Sequence, residues 1–280
     1  MQLDEYYDIT VDQFYKYQST HHENEYVLVD VRLPEEYEDE HIAGALLMPL
    51  ADLTSRLHEL PADRDIIFYC NSGRRSRIAA LFVTSVPFSE KKVYNVLGGI
   101  LTYFNKTLPD YPALSSVDLE GGMEKLLYSA MNLEKGTALF YSAVINNTAD
   151  ISLRETLGKI AMAEDSHARL LYHFLRNKKP GVPSFEDVYE TLNGDIVEGG
   201  RRLDEQLAFI EEYQKTSSQA LLEMILDVEY AAYDLYCAIA EKMRGSKMEE
   251  SFLSLAQAEK HHMLLAAKAF NTFKDANTAG

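Results

Sequence analysis

The chain has 280 residues, of which 46% are hydrophobic and 25% are charged, and its formal net charge at pH 7 is −17. This length allows one large domain or two ordinary ones, each with its own hydrophobic core, and the composition excludes wholesale disorder. A surface this acidic repels phosphate backbones and anionic lipids, so we expect neither nucleic acid nor a membrane surface as a partner.

The sequence also points to a cellular compartment. No apolar run approaches the roughly 20 residues of a membrane-spanning helix, and the N-terminus lacks the basic start and apolar stretch of a signal peptide. The two cysteines, Cys70 and Cys237, form no Cys-x-x-Cys pair, so no disulfide framework is predicted. We therefore expect a protein of the reducing cytoplasm.

Residues 26–114 alternate short apolar runs with helical segments. Three runs have the length and the β-branched composition of buried strands, residues 26–31, 66–69 and 93–97. Helical segments follow the first two runs, one opened by Pro34 and its acidic neighbours and one spanning residues 76–86. Strands separated by helices predict a parallel α/β sheet with flanking helices.

A loop rich in small and basic residues follows the second predicted strand. It reads Cys70-Asn71-Ser72-Gly73-Arg74-Arg75-Ser76. Backbone N–H groups of such a loop converge on one point, and the helix that follows adds its positive end, so the loop can cradle an anion. Arg74 and Arg75 add full charges. This setting favours the thiolate form of Cys70, which is the nucleophilic form.

This loop resembles the active-site loop of the rhodanese-type sulfurtransferases. Three further motifs stand in the order and spacing of that family, residues 28–32, 41–45 and 97–99. The resemblance covers about residues 7–114. It implies that Cys70 takes a sulfane sulfur from a small donor such as thiosulfate or a persulfide, and passes it to a thiophilic acceptor.

The resemblance also assigns roles to the rest of the loop. It implies that the N–H groups of Asn71, Ser72, Gly73 and Ser76 hold the persulfide formed on Cys70. It implies further that Arg74 or Arg75 holds the donor anion.

Beyond Pro112 the pattern changes to long helical periodicity. Four stretches carry it, residues 120–147, 151–178, 217–244 and 247–272, with a less regular, partly helical segment at about 180–216. Two short-looped helix pairs joined by one long crossover describe a ferritin-like four-helix bundle. We therefore predict two domains, an α/β domain at residues 1–114 and an all-α bundle at residues 115–280.

The helical half repeats itself with an offset of 95 residues. The repeat superposes three polar residues of the first helix pair on three of the second: Glu134, Glu164 and His167 on Glu229, Glu259 and His262. Each copy therefore consists of a Glu on one helix and a Glu-x-x-His pair on the next.

This pattern predicts a metal site. Residues i and i+3 lie on the same face of a helix, so each Glu-x-x-His pair can hold one ion between its side chains. Four carboxylates in a dry core would repel one another unless cations compensate them. Two divalent metals supply four positive charges, and oxygen with imidazole ligation suits iron, with manganese as the alternative.

Residues 120–272 resemble the ferritin-like domain of the rubrerythrin family, which carries this ligand pattern around a di-iron centre. The resemblance implies that the six repeated residues ligate two irons per chain. Tyr141 and Tyr236 lie two turns beyond Glu134 and Glu229 and resemble the tyrosines that support such ligands. Packing in the core is the alternative interpretation of both tyrosines.

Two departures from that family are visible. Typical rubrerythrins have a further Glu at the position of Ala232, and they end in a module with two Cys-x-x-Cys pairs that this sequence lacks. Electrons would therefore come from another protein, or the bundle has a different activity. Bundles of this kind associate through helix faces, so we expect a homodimer.

Together the two resemblances predict a bifunctional cytoplasmic enzyme. It would combine sulfur transfer through Cys70 with the reduction of peroxide or oxygen at a di-iron centre, in defence against oxidative stress. Two alternatives stay open. In one, the bundle only binds iron or forms the dimer. In the other, the first domain is a persulfide sensor that gates the bundle.

Overall fold

A computed structural model describes residues 6–88, 90–148, 151–213 and 218–278. The backbone divides into two compact units, one formed by the residues up to Tyr111 with Tyr236–Gln257, the other by Pro112–Leu235 with the residues from Ala258 onward. The predicted domain boundary between residues 114 and 115 stays a prediction. No helix in the described part of the chain combines the length and apolar character needed to cross a membrane.

The first unit is built around a five-stranded sheet in which every pairing is parallel. Its strands are β1 (Tyr7–Ile9), β2 (Tyr26–Asp30), β3 (Leu46–Leu47), β4 (Asp65–Tyr69) and β5 (Val93–Val96), in the spatial order β1-β5-β4-β2-β3. The predicted parallel α/β sheet is confirmed, and the three predicted strands correspond to β2, β4 and β5. The sequence pattern does not predict β1 and β3, because two or three residues are too few to show a period.

Helices cover the sheet. They are α1 (Val11–Thr20), α2 (Pro34–Asp39), α3 (Leu53–Arg56) and α4 (Arg74–Ser85). A capping box between Thr10 and Gln13 begins α1, and Pro34 occupies the first turn of α2. Alternate residues of β4 enter two separate hydrophobic clusters, Ile67 one and Phe68 the other. The central part of the sheet is therefore buried on both faces.

The C-terminal part of the chain is largely helical, as predicted. Its helices are α5 (Met123–Asn147), α6 (Ile151–Lys178), α7 (Phe185–Thr191), α8 (Leu203–Tyr213), α9 (Ser218–Lys242) and α10 (Glu249–Thr278). The four long helices match the four predicted stretches to within a few residues, except that α10 runs six residues beyond its predicted end. The two short helices account for the partly helical segment between α6 and α9. The ferritin-like arrangement stays a prediction.

The segment between α7 and α8 passes directly against α5. A side chain at Gly136 would overlap the carbonyl of Ile196, and the Glu198 N–H donates a hydrogen bond to Thr137 Oγ1 at 3.0 Å. Gly136 and Thr137 are buried. Their small side chains therefore let the crossing segment lie on the helix face one turn beyond Glu134.

Candidate functional site

Cys70 directly follows β4, at the carboxyl end of the parallel sheet, and only 1% of its surface is exposed. The loop from Cys70 to Ser76, the Cys70 loop, turns into α4 through Gly73, whose φ of 86° lies in the left-handed region that favours glycine. A second glycine, Gly99, lies just after β5 and contacts the Cys70 loop. A side chain at Gly99 would overlap the carbonyl oxygen of Cys70, and Ile100 N–H donates to that oxygen at 2.9 Å. Gly98 and Gly99, which follow β5, therefore pack on the Cys70 loop.

The Cys70 sulfur accepts hydrogen bonds from the loop that surrounds it. Gly73 N–H lies 3.2 Å from Sγ, and the Ser76 hydroxyl lies 3.4 Å from it. Burial alone would raise the pKa of Cys70, but hydrogen bonds from the Ser76 side chain and from the backbone N–H groups of Ser76, Ser72 and Gly73 outweigh it and lower the pKa. The loop therefore favours the thiolate at a buried position.

The other predicted loop residues divide by exposure. The side chains of Asn71, Ser72 and Arg74 are exposed, whereas Gly73 and Ser76 are buried. Arg75 faces Cys70 but also makes two hydrogen bonds of 2.6 Å to the carboxylate of Glu36 on α2. These bonds lower the pKa of Glu36 to about 2. Sequence reasoning missed Glu36, because an acid in the first turn of a helix is a common cap and carries no sign of its partner.

A polar chain behind the loop was also not predicted. The Ser76 hydroxyl lies 2.7 Å from Asn95 Oδ1, and the Asn95 amide donates to the Asp8 carboxylate at 2.6 Å. Asn95 lies in β5 opposite Asp8 of β1 and is 1% exposed. In the sequence, the one sign of these hydrogen bonds was a single Asn within an apolar strand.

In the helical part, the structure brings together the six residues that the repeat singles out. This carboxylate–histidine cluster consists of Glu134, Glu164, His167, Glu229, Glu259 and His262, which come from α5, α6, α9 and α10. All six side chains are buried. One group of four ligand atoms and one group of three, which share Glu164, each lie within 4.8 Å of one another.

Within the cluster, two carboxylates each contact both histidines. Glu164 lies 3.3 Å from His167 Nδ1 through one oxygen and 3.3 Å from His262 Nδ1 through the other. Glu259 does the same at 2.9 and 3.1 Å. The remaining two carboxylates are terminal, Glu134 at 3.5 Å from His167 and Glu229 at 3.6 Å from His262. The 95-residue repeat of the sequence therefore appears as a two-fold pattern of contacts.

The hydrogen bonding of the cluster is incomplete. Both oxygens of Glu164 are buried without a hydrogen bond, although they lie close to histidine nitrogens. Burial raises the pKa of Glu134 to about 8 and that of Glu229 well above its ordinary value. Burial would also raise the pKa of Glu164, but His167 and His262 lower it to about 2. Converging carboxylates and imidazoles with unsatisfied acceptors fit divalent cations, so the residues present fit the predicted pair of metal ions.

The two predicted supporting tyrosines differ in their surroundings. The Tyr141 hydroxyl donates a hydrogen bond to Glu229, a ligand candidate from the other helix pair. The Tyr236 ring stacks on Phe252 with centroids 6.1 Å apart. Both tyrosines are fully buried, as is Ala232. Tyr141 therefore holds one of the terminal carboxylates, as a supporting residue would.

Comparison with known proteins supports the resemblance of the α/β part of the chain to the rhodanese family. Residues 12–106 match the rhodanese-like domain. A sulfurtransferase of Allochromatium vinosum is 36% identical over 83 residues, which cover 30% of this chain and 76% of that protein. The chain belongs to the rhodanese-like family. Its rhodanese-like domain is followed by helices that the match does not include.

Two further relatives show the same domain in different settings. A protein named thiosulfate sulfurtransferase GlpE, from Coxiella burnetii, is 34% identical over 77 residues, covering 28% of this chain and 70% of that protein. The putative sulfur carrier protein YrkF of Bacillus subtilis is 41% identical over 80 residues, covering 29% of this chain. The match spans only 42% of that relative's length. A rhodanese-like sulfurtransferase function is therefore supported for the first part of this chain.

Proposed function

We propose that Cys70 is the sulfur-carrying nucleophile of this rhodanese-like domain. The observation that carries the proposal is the set of donors around Sγ, the Gly73 N–H and the Ser76 hydroxyl, which lowers the pKa of a buried thiol. The same donors suit a persulfide, because its outer sulfur also carries negative charge. Relatives named as sulfurtransferases support this assignment.

The reaction proceeds in two displacements. The Cys70 thiolate attacks the outer sulfur of thiosulfate, so that a Cys–S–S⁻ bond forms while the sulfur–sulfur bond of the donor breaks and sulfite leaves with the electron pair. A thiolate or cyanide acceptor then attacks the outer sulfur of the persulfide and releases Cys70 as thiolate. Arg75, held by Glu36, and the exposed Arg74 attract the anionic donor. No net oxidation occurs.

The test of this role compares the only two cysteines of the chain. Cys70→Ser abolishes the transfer of sulfur from thiosulfate to cyanide, and Cys237→Ser, the matched control, retains it. Mass spectrometry of the protein after thiosulfate treatment then finds the mass of one added sulfur only where Cys70 is present. Sulfur transfer by Cys70→Ser at the wild-type rate would refute the role.

We further propose that α5, α6, α9 and α10 form a ferritin-like four-helix bundle that holds a dinuclear metal centre, with iron as the first candidate and manganese as the second. Glu164 and Glu259 would help to hold the ions together with His167 and His262, because each carboxylate contacts both histidines. Glu134, close to His167, and Glu229, close to His262, would complete the ligand set. The four carboxylates balance two divalent charges.

The activity proposed for this centre is the reduction of peroxide or oxygen. Iron, when bound, supplies one-electron redox steps. The chain's own contribution is to exclude water, since every ligand candidate is buried, and to hold the Glu229 carboxylate through the Tyr141 hydroxyl. Reduction of hydrogen peroxide to two waters takes two electrons, for which we propose an external electron-donor protein, and two protons, which solvent supplies. We propose a homodimer in the cytoplasm as the working form.

Metal content tests the centre separately from activity. Glu164→Ala removes a carboxylate that contacts both histidines, and we expect most bound iron to be lost. Glu155→Ala, an exposed acid on the same helix, is the control and retains the metal. Equal iron in the two variants would refute the ligand assignment. If the bundle only stores iron or forms the dimer, metal loss leaves peroxide consumption unchanged, whereas the proposed activity is lost with the metal.

A further inference from the structure

The Ser76 hydroxyl lies between two acceptors but has only one proton. Its oxygen is 3.4 Å from Cys70 Sγ and 2.7 Å from Asn95 Oδ1. A serine hydroxyl donates one hydrogen bond at a time. The thiolate and the amide oxygen therefore compete for it.

Asp8 decides which end of the Asn95 amide faces Ser76. An ionised carboxylate is acceptor-only, so the Asn95 NH₂ group must point to Asp8, which it meets at 2.6 Å. The Asn95 carbonyl oxygen is then left facing Ser76. Since β1 and β5 pair with Asp8 opposite Asn95, the sheet register fixes this orientation.

We propose that Asn95, oriented by Asp8, is a positioning residue that draws the Ser76 hydroxyl proton away from Cys70 until the sulfur carries negative charge. The inference rests on the proposed role of Cys70 as the sulfur-carrying nucleophile. In the thiol form of Cys70, Ser76 donates to Asn95. When the thiolate or the persulfide forms, the hydroxyl turns to the sulfur, because a charged acceptor binds the proton more strongly.

The competition between Asn95 and Cys70 for the Ser76 proton affects the stability of the Cys70 thiolate. Turning the hydroxyl leaves Asn95 Oδ1 facing the lone pairs of Ser76 in a buried site, which costs free energy. That cost opposes thiolate formation and favours reprotonation of Cys70 once sulfur transfer has released it as thiolate. Two further charged groups near the sulfur, among the residues that the structure describes, are Arg75, which faces Cys70, and Glu36, which pairs with Arg75. Neither belongs to the Asp8–Asn95–Ser76 chain.

The test measures the Cys70 pKa from the pH dependence of alkylation by iodoacetamide, in a Cys237→Ser background so that one thiol reacts. Ser76→Ala removes the hydroxyl donor and raises the pKa by about one unit. Asn95→Leu has a similar volume and removes the competing acceptor, so it lowers the pKa by roughly half a unit to one unit. A merely structural loosening of the loop would move both variants in the same direction.

The double variant isolates the competition. With Ser76→Ala in place there is no hydroxyl proton to withhold, so Asn95→Leu produces no further change in the pKa. Asp8→Asn, at an exposed position, is the second probe if Asn95→Leu does not fold. It lets the Asn95 amide turn, and at least half of the pKa decrease that it causes disappears in the Ser76→Ala background.

An unchanged pKa in Asn95→Leu, or shifts that simply add in the double variant, would overturn the inference. Failure of the proposed function gives a different result. The variants then show the coupled pKa shifts, but the wild-type protein forms no persulfide with thiosulfate.

Discussion

Replacing Glu36 by Gln removes the negative charge that faces Arg75 but keeps an oxygen that can accept the Leu33 N–H at the start of α2. The pKa of Glu36 is lowered from its ordinary value of 4.5 to about 2, chiefly by the hydrogen bonds from Arg75. A shift of that size corresponds to at most about 3.4 kcal/mol. Because the two side chains are 33% and 31% exposed, solvent screening reduces the expected contribution to about 1 kcal/mol.

The unfolding free energy lost in Glu36→Gln depends on pH and is larger at neutral pH than in acid. Glu36 has a lower pKa in the folded protein than in the unfolded chain, so its stabilisation is complete above pH 4.5 and disappears as the pH falls toward 2. Urea unfolding at pH 7 should therefore show Glu36→Gln less stable than wild type by about 1 kcal/mol, with the difference shrinking in acid.

The matched control is Glu35→Gln, an exposed acid in the same first turn of α2. We expect its unfolding free energy to match that of wild type at every pH. If Glu36→Gln and Glu35→Gln lose the same stability, or if the loss from Glu36→Gln is undiminished at pH 2 and below, the ion pair does not hold Arg75 and the reasoning fails.

Three further predictions follow from the contacts. Gly99→Ala pushes a methyl group into the Cys70 carbonyl, so we expect about 1–3 kcal/mol lower stability and slower persulfide formation. Gly122→Ala, also at positive φ but in open space, should keep sulfur transfer intact, and equal transfer rates in the two variants would contradict the packing argument. Tyr141→Phe removes the donor to Glu229 and should weaken metal binding roughly 10–100-fold in competition with a chelator, an effect that Tyr128→Phe on the same helix should not reproduce. Removing the metal with a chelator should lower the unfolding temperature, because buried carboxylates then face one another uncompensated; an unchanged temperature in calorimetry would count against a filled site.

Local sequence patterns predicted the parts of the structure that local physics determines. The runs that became β2, β4 and β5 are long enough to show burial on both faces, and Cys70 stands at the point where one of them ends. The long helices were predicted from periodicity, and the 95-residue repeat identified the side chains that meet in the carboxylate–histidine cluster. A repeat is informative because two copies of one pattern must occupy equivalent positions.

Contacts between distant segments were not predictable in this way. Arg74 or Arg75 was expected to hold a donor anion, which stays a prediction, but the pairing of the Arg75 guanidinium with Glu36, 39 residues earlier, was not expected. The Asp8–Asn95 hydrogen bond joins residues 87 apart and depends on a strand of three residues that leaves no periodic signal. Such pairs are determined by sheet order and register, which a single sequence states only indirectly.

The central claim is that this chain joins a rhodanese-like sulfur site to a dinuclear metal centre, and elemental analysis of the full chain grown with iron tests it most directly. The account predicts about two metal ions per chain, retained in Cys70→Ser and largely lost in Glu164→Ala. Metal well below one ion per chain, or an equal content in Glu164→Ala, would contradict it and reduce the carboxylate–histidine cluster to a buried polar network.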